Sequence, residues 1–381
     1  MKTNAERGTR NAEPGTVALA VSGHGFGHAV RCAEVASALL ARGVRVKIRT
    51  DAPAWLFPAQ AEFLPSPGWP LDVGVAQYDG LELDIDETRR RWQAFACELE
   101  ARARAEADLV EAHRVDVLVG DIPPLGFAAA TRAGVPCAAL TNFGWDWIYA
   151  AWPGFERIVE TVQSGYRQAD LLLRLPLHSD SDDAFPAFKR IEDVPLIARR
   201  ARRPRAQVRA ELGLPADAQV VLLSFGGFTA GGLDVGALGE WSDYLFVLTP
   251  PLSTSCDVLP SNVVGLNQTP ADYVSLLGAS DVVVTKPGYG IVADCLANRV
   301  AVLFTDRGPF REYDVLADCL PRLACARYIP RAMLLAGQVG PYLDALLASD
   351  GAWTDQPMNG AEVAAQRILD LHEQAKEVTF W

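Results

Sequence analysis

The stretch S-G-H-G-F-G-H-A-V-R, residues 22–31, sits where an apolar run, Thr16–Val21, gives way to a helical pattern. Gly23, Gly25 and Gly27 allow positive φ, so a sharp turn is predicted whose backbone comes close to a ligand. Two histidines, His24 and His28, project from that turn. Beyond it, Val30, Ala33, Ala36, Leu39 and Leu40 recur at helical spacing until Gly43 stops the helix. The first amides of such a helix point back at the loop and favour an anion or a developing negative charge. The glycines do not spell the dinucleotide fingerprint G-x-G-x-x-G, because His28 follows the last of them and Arg31 comes soon after. The histidine sets this turn apart.

Composition bounds the function. The 381 residues are 50% hydrophobic and 22% charged, which describes an ordinary soluble globular protein with length for two domains. A net charge of −12 argues against a nucleic-acid partner, which needs a broad basic surface. Seven cysteines, odd in number and mostly inside apolar segments, read as reduced core thiols of a cytoplasmic protein. No Cys/His spacing suggests zinc. Residues 1–15 are polar and read as a disordered tail, and the apolar run after them is too short for a signal peptide or a membrane span.

Taken in order, Val44, Val46 and Ile48 alternate with Arg45, Lys47 and Arg49, a strand that completes a β-α-β unit and predicts a parallel sheet. Residues 84–115 carry one long helical periodicity. The strand at 115–120 then leaves at Asp121-Ile122-Pro123-Pro124, at the carboxyl edge where open α/β sheets bind ligands, so Asp121 is expected to face the crevice of His28. A third edge, residues 141–149, is crowded with aromatics that either pack the core or stack on a ligand ring.

From 177 to 205 regularity lapses, ending in the run A-R-R-A-R-R-P-R, read as a linker with a solvated basic patch. The β/α alternation then restarts, with a glycine turn at Gly226-Gly227 and with Lys286-Pro287-Gly288-Tyr289-Gly290 opening a helix that carries Asp294. The next strand ends at Asp306-Arg307-Gly308-Pro309-Phe310-Arg311-Glu312. The expected fold is α/β, two Rossmann-like β/α/β domains facing each other across a cleft. The expected boundaries are 16–178, a linker at 179–204, and 205–381, with the last helix able to cross back.

The paired β/α halves, G-F-G-H-A-V-R in the first and K-P-G-Y-G-I-V-A-D in the second, resemble GT-B glycosyltransferases, in the branch with the lipid-linked GlcNAc transferase of peptidoglycan synthesis. More closely, G-H-G-F-G-H, T-N-F-G-W-D-W-I-Y-A, R-L-P, D-V-P-L-I-A-R-R and the K-P-G-Y-G helix resemble the N-terminal glycosyltransferase-like part of plant L-arabinokinases. The resemblance implies a nucleotide-diphospho-sugar, UDP-linked by analogy, as co-substrate on the second domain, with no other cofactor and no metal required. It implies Gly226, Gly227, Lys286, Gly288, Tyr289 and Gly290 at the diphosphate, Asp294 at the ribose and Glu312 at the donor sugar. Many members have Glu where this chain has Asp294. The acceptor, a small or lipid-like molecule, is expected on the first domain beside Gly25, Phe26, Gly27, Asn142, Trp145 and Trp147. Peripheral membrane contact stays open.

His28 is the expected general base for an inverting transfer, with Asp121 either orienting it or merely capping the following turn. For His24 a backbone-bonding role and a functional one both stand. Two alternatives accompany the transferase. One is a nucleotide-sugar hydrolase of the pseudaminic-acid-pathway type, with water as acceptor. The other is a non-catalytic nucleotide-sugar binder.

Overall fold

The computed structural model describes residues 15–252, 257–268, 272–349, 351 and 353–379. The expected tail, apart from Gly15, and Cys256 lie outside the described residues.

The first half is a parallel sheet in the order β3-β2-β1-β6-β7-β8-β9. Its strands are β1 (Thr16–Val21), β2 (Arg45–Arg49), β3 (Glu62–Phe63), β6 (Val117–Asp121), β7 (Cys137–Thr141), β8 (Leu171–Arg174) and β9 (Ile191–Asp193). A small antiparallel pair, β4 (Ala76–Gln77) and β5 (Leu83–Asp84), stands apart. Helices α1 (Gly25–Leu40), α2 (Ile85–Cys97), α3 (Leu99–Ala112), α4 (Pro124–Ala133), α5 (Trp145–Tyr149) and α6 (Glu156–Tyr166) join these strands.

The second half is a parallel sheet in the order β12-β11-β10-β13-β14-β15. Its strands are β10 (Gln219–Leu223), β11 (Tyr244–Leu248), β12 (Val263–Gly265), β13 (Val282–Thr285), β14 (Ala301–Phe304) and β15 (Ala326–Tyr328). Its helices are α7 (Arg205–Glu211), α8 (Tyr273–Ala279), α9 (Tyr289–Asn298), α10 (Arg311–Leu323), α11 (Arg331–Leu335) and α12 (Gly340–Leu347), followed by the long α13 (Gly360–Thr379). Among the described residues no helix is long and apolar enough to cross a membrane.

Central strands such as β1, buried at every position, read as continuous apolar runs because helices cover both faces of a parallel sheet. One apolar cluster runs through both halves, joining Val17, Leu39 and Ile48 to Val220, Val292 and Leu316. Helix α13 contributes Ala364 and Ile368 to it and lies on α1, where Arg42 Nη2 reaches the carbonyl of Glu362 at 3.2 Å.

Three expectations change. The single helix over 84–115 is two, because Glu98 takes φ −112° and ψ 3° between α2 and α3. Inside the stretch read as a linker, β9 adds an edge strand to the first sheet. The arginine run is solvated only in part: Arg200, Arg202 and Arg205 are exposed, while Arg199 pairs with Asp294, Arg203 with Glu211, and Arg205, with Arg209 beyond it, with Asp281.

Leu39, fully buried between the first sheet and α13, holds α1 in place, so Leu39→Ala is expected to cost about 2–5 kcal/mol. Denaturant titration reads this as a lower midpoint at unchanged slope.

Candidate active site

The site is built at the carboxyl edge of β1 and β6, which pair in register with Val21 opposite Asp121. The Ser22 amide donates to the Asp121 carbonyl at 2.8 Å, tying the loop to that edge. Of the three glycines in the loop only Gly25 takes positive φ, at 70°. Helix α1 starts there, with His24 as its N-cap and His28 already in the first helical turn, so the predicted turn is shorter than its glycines suggest.

Asp121 is wholly buried, and α1 supplies its partners from one face. His28 Nδ1 lies 2.8 Å from Oδ1, while Arg31, three residues on, donates Nε to Oδ2 and Nη2 to Oδ1, both at 2.5 Å. Burial opposes ionisation of Asp121, but Arg31 and then His28 outweigh it and hold the pKa down at about 2. Arg31 Nη2 also lies 3.0 Å from His28 Nδ1 and 3.3 Å from Thr141 Oγ1. Because the ionised Asp121 can only accept, the tautomer that satisfies its contact with His28 carries the hydrogen on Nδ1, which leaves the Nε2 lone pair free.

His24 is the opposite case. Its Nδ1 accepts the Val75 amide at 3.2 Å, so its hydrogen sits on Nε2. Burial, then His28, Arg307 and Lys286, push its pKa well below the ordinary value, and the ring stays neutral. Gly74, at φ 57°, makes the seat: a Cβ there would stand 2.7 Å from the Cβ of His24.

The second half faces this edge with three elements. After β10 come Gly226 and Gly227, at φ 70° and 82°, the latter against the Phe26 ring. After β13 come Lys286 and Gly288, the N-cap of α9, whose first amides open on the cleft. Arg307 and Glu312 follow β14, with Arg307 Nη1 3.6 Å from Glu312 Oε2. Burial, then Arg307, pushes Lys286 well below the usual lysine range, and Arg307 Nε has no hydrogen-bond partner among the described residues. Lys286 feels the carboxylates of Asp79 and Glu312 and Arg307 that of Glu312, and the unpartnered Arg307 Nε beside the buried lysine leaves room for an incoming anion. The halves touch at their helix starts, where a Cβ on Gly290 would lie 3.3 Å from Gly27 Cα.

The cleft is lined by most of the residues expected there: His24, Gly25, Phe26, Gly27, His28, Gly226, Gly227, Lys286, Gly288, Tyr289, Gly290 and Glu312. Five others lie behind it, Asp121 among them, wholly buried beneath His28. Asp294, expected at a ribose, instead accepts the Arg199 amide at 2.9 Å and its guanidinium at 2.5 and 3.0 Å, and Arg199 takes the place on the cleft wall. Trp145 is buried, stacked on Tyr149 and donating Nε1 to Asp72 at 2.9 Å. Trp147 is buried under the Arg311 guanidinium. Asn142 bridges Arg31 and Glu312 from behind. Of the aromatic edge only Phe143 reaches the cleft, joined by Trp55, Phe228 and Phe310.

Sequence reading quoted Arg31 and Arg307 only within motifs and gave neither a role. A signal existed for both: Arg31 stands at i+3 from His28, and Arg307 lies in the loop just past the carboxyl end of a buried strand.

A second cavity adjoins the first through His24, Gly25, Gln77 and Phe228, and is lined by Asp51, Asp72, Arg91, Phe95 and Arg102. Burial pushes Asp72 up to about 6 against hydrogen bonds from Ser22 and Trp145 and the nearby His28. Its folded pKa thus exceeds the unfolded value of about 3.9. The stability it contributes is present below about pH 4 and lost as pH rises through about 6. Asp72→Asn, which keeps the shape, is expected to gain stability relative to the parent between pH 4 and pH 7. Parallel unfolding curves across that range would exclude this assignment.

No family model matches the chain. It is 33% identical over 369 residues, 92% of its length, to the L-arabinokinase of Arabidopsis thaliana, of which the match covers 34%. It is 27% identical over 219 residues, 53% of its length, to an uncharacterized glycosyltransferase of Methanopyrus kandleri, of which the match covers 60%. The chain therefore spans about a third and three fifths of these two relatives. Among solved structures, the kitacinnamycin glycosyltransferase superposes with TM-score 0.62 at 19% identity over 96% of each chain. Arabidopsis thaliana UGT89C1 complexed with UDP superposes with TM-score 0.55 at 18% identity, over 96% of this chain and 95% of that one. The chain has the GT-B fold of these glycosyltransferases, and nearly all of it is similar in sequence to one third of L-arabinokinase.

Proposed function

We propose that the protein is a glycosyltransferase that moves a sugar, with inversion, from a nucleotide-diphospho-sugar in the second half to an acceptor hydroxyl in the first. One observation carries the reading. The His28 Nε2 lone pair shares a cleft with the buried Lys286, with Arg307, whose Nε is unpartnered among the described residues, and with the first amides of α9. The base and the leaving-group site are thus on opposite walls.

In the transfer, His28 Nε2 takes the acceptor proton as the acceptor oxygen bonds to the anomeric carbon. The bond from that carbon to the diphosphate oxygen breaks, and its electron pair leaves with the nucleotide. Lys286, Arg307 and the α9 amides receive the growing charge, and the neutral His24 Nε2–H adds a donor without adding a charge. Asp121 stabilises the imidazolium, and Arg31 keeps Asp121 ionised while it does so. Glu312 faces the donor sugar. The acceptor enters by the second cavity, whose walls are Asp51, Asp72 and Arg102 rather than the tryptophans expected from sequence. The UDP complex of a protein with the same fold supports a nucleotide in this cleft. Buried free thiols at Cys32, Cys137, Cys295 and Cys325 fit a reducing compartment, the cytoplasm.

A melting-shift panel of UDP, dTDP, GDP and ADP, each with its sugars, finds the donor; ligand at 100 times its dissociation constant adds roughly 2.7 kcal/mol. His28→Ala is expected to lower turnover about 10²- to 10⁴-fold with nucleotide affinity unchanged. Lys286→Met should weaken the diphosphate by about ten- to a hundredfold, as loss of a charged hydrogen bond does. Free sugar released without acceptor would turn the assignment to a hydrolase, and binding without turnover to a silent binder. A folded His28→Ala enzyme with parental turnover would remove the base.

A further inference from the structure

Behind the cleft wall a line of buried polar groups crosses from one half to the other. His28 Nδ1 donates to Asp121, Arg31 grips both oxygens of Asp121, and Arg31 Nη1 donates to Asn142 Oδ1 at 2.7 Å. Asn142 Nδ2 then donates to Glu312 Oε1 at 2.9 Å. None of the five residues is more than 5% exposed. The Asn142 amide has one orientation, because the guanidinium only donates and must face its oxygen, which turns the nitrogen to Glu312. Arg31 is also fixed from the second half, its guanidinium lying over the Tyr289 ring with 5.1 Å from Cζ to the centroid.

We propose that Arg31 and Asn142 are positioning residues that hold Glu312, in the second half, in register with His28, in the first. The role rests on the transferase reading, in which Glu312 meets the donor sugar and His28 takes the acceptor proton. Asn142 does not line the cleft, so it acts only through its neighbours. Oε1 of Glu312 is held by Asn142 and Oε2 is turned toward Arg307, which sets the plane that the carboxylate presents to a sugar. The same guanidinium that orients Asp121 beneath the base thereby orients, through one amide, the group beneath the sugar.

The decisive variant is Asn142→Asp. It keeps the oxygen that Arg31 needs and sets a second carboxylate against Glu312, where two such groups ionise together only at a cost. The groups that bear on this pair are Arg307 and Lys286 from the second half and Arg31, Asp121 and His28 from the first. At high pH the two carboxylates repel and Glu312 turns away. At lower pH one shared proton restores a hydrogen bond between them.

The readout is the affinity that the sugar adds, measured by calorimetry with the pairs UDP and UDP-glucose, GDP and GDP-mannose, and ADP and ADP-glucose. In the parent, one sugar nucleotide is expected to bind more tightly than its free diphosphate. Compared with the parent at the same pH, that advantage is expected in Asn142→Asp to fall about tenfold at pH 8 and to recover as the pH is lowered, with affinity for the free diphosphate equal to the parent's at each pH. Asn142→Ser, smaller and without a charge, should lose the advantage at every pH. An advantage retained at pH 8 in folded Asn142→Asp, or an equal loss for the free diphosphate, would overturn the positioning role alone. If the parent binds none of the six nucleotides, the donor reading itself falls, and this role with it.

Discussion

A carboxylate with no solvent exposure, Asp121, is the group on which the site depends. Burying an ionised carboxyl costs several kcal/mol unless charge and hydrogen bonds replace the lost water. Here the replacement comes almost entirely from one turn of one helix. His28 and Arg31 stand three residues apart on α1 and converge on the two oxygens, with Cys32 Sγ at 3.3 Å completing the shell. This geometry exists only because β6 lies next to β1 in the sheet, which puts the last residue of β6 under the start of α1. Sheet order, helix pitch and the choice of Arg at position 31 are thus consequences of one demand.

The two histidines of the same short motif show how little a residue type says without its partner. Each has Nδ1 bonded and lines the cleft, with Nε2 as its other nitrogen. A carboxylate on the Nδ1 of His28 makes its Nε2 an acceptor, whereas a backbone amide on the Nδ1 of His24 makes its Nε2 a donor. One is suited to take a proton and the other to hold an oxygen. Nothing in G-H-G-F-G-H distinguishes them, because the deciding atoms belong to residues 121 and 75.

Much of the fold was legible, since period and turn chemistry are local. The apolar runs at β1 and β10, the glycine ends of α1 and α4 and the restart of β/α alternation all stand in the sequence. The pairing of His28 with Asp121 was also legible, because carboxyl edges of adjacent parallel strands share a crevice. What failed to show was long-range competition for partners. Asp294 looks free in K-P-G-Y-G-I-V-A-D, yet Arg199, 95 residues earlier in the chain, occupies it. Trp145 and Trp147 look like a stacking surface, yet Asp72 and Arg311 take up the indoles within the core. A break such as that at Glu98 leaves the apolar periodicity intact on both sides, so periodicity cannot locate it.

The charge of the molecule divides along the same cleft. The whole chain is acidic, which masks the local sign at the site. On the wall of the first half the charges close among themselves, Asp121 with Arg31 and a neutral His24 beside them. On the facing wall Lys286 and Arg307 sit side by side with Glu312 near both, and Asp79 also bears on Lys286. Holding these walls at a working distance falls to main chain rather than to side chains. Gly27 and Gly290 bring the starts of α1 and α9 together so closely that a Cβ on Gly290 would also press within 3.2 Å of Val30 Cγ2. A methyl group there would press the starts of α1 and α9 apart, and with them His28 and Lys286 on the facing walls. Glycine at that contact therefore sets how closely the two walls approach.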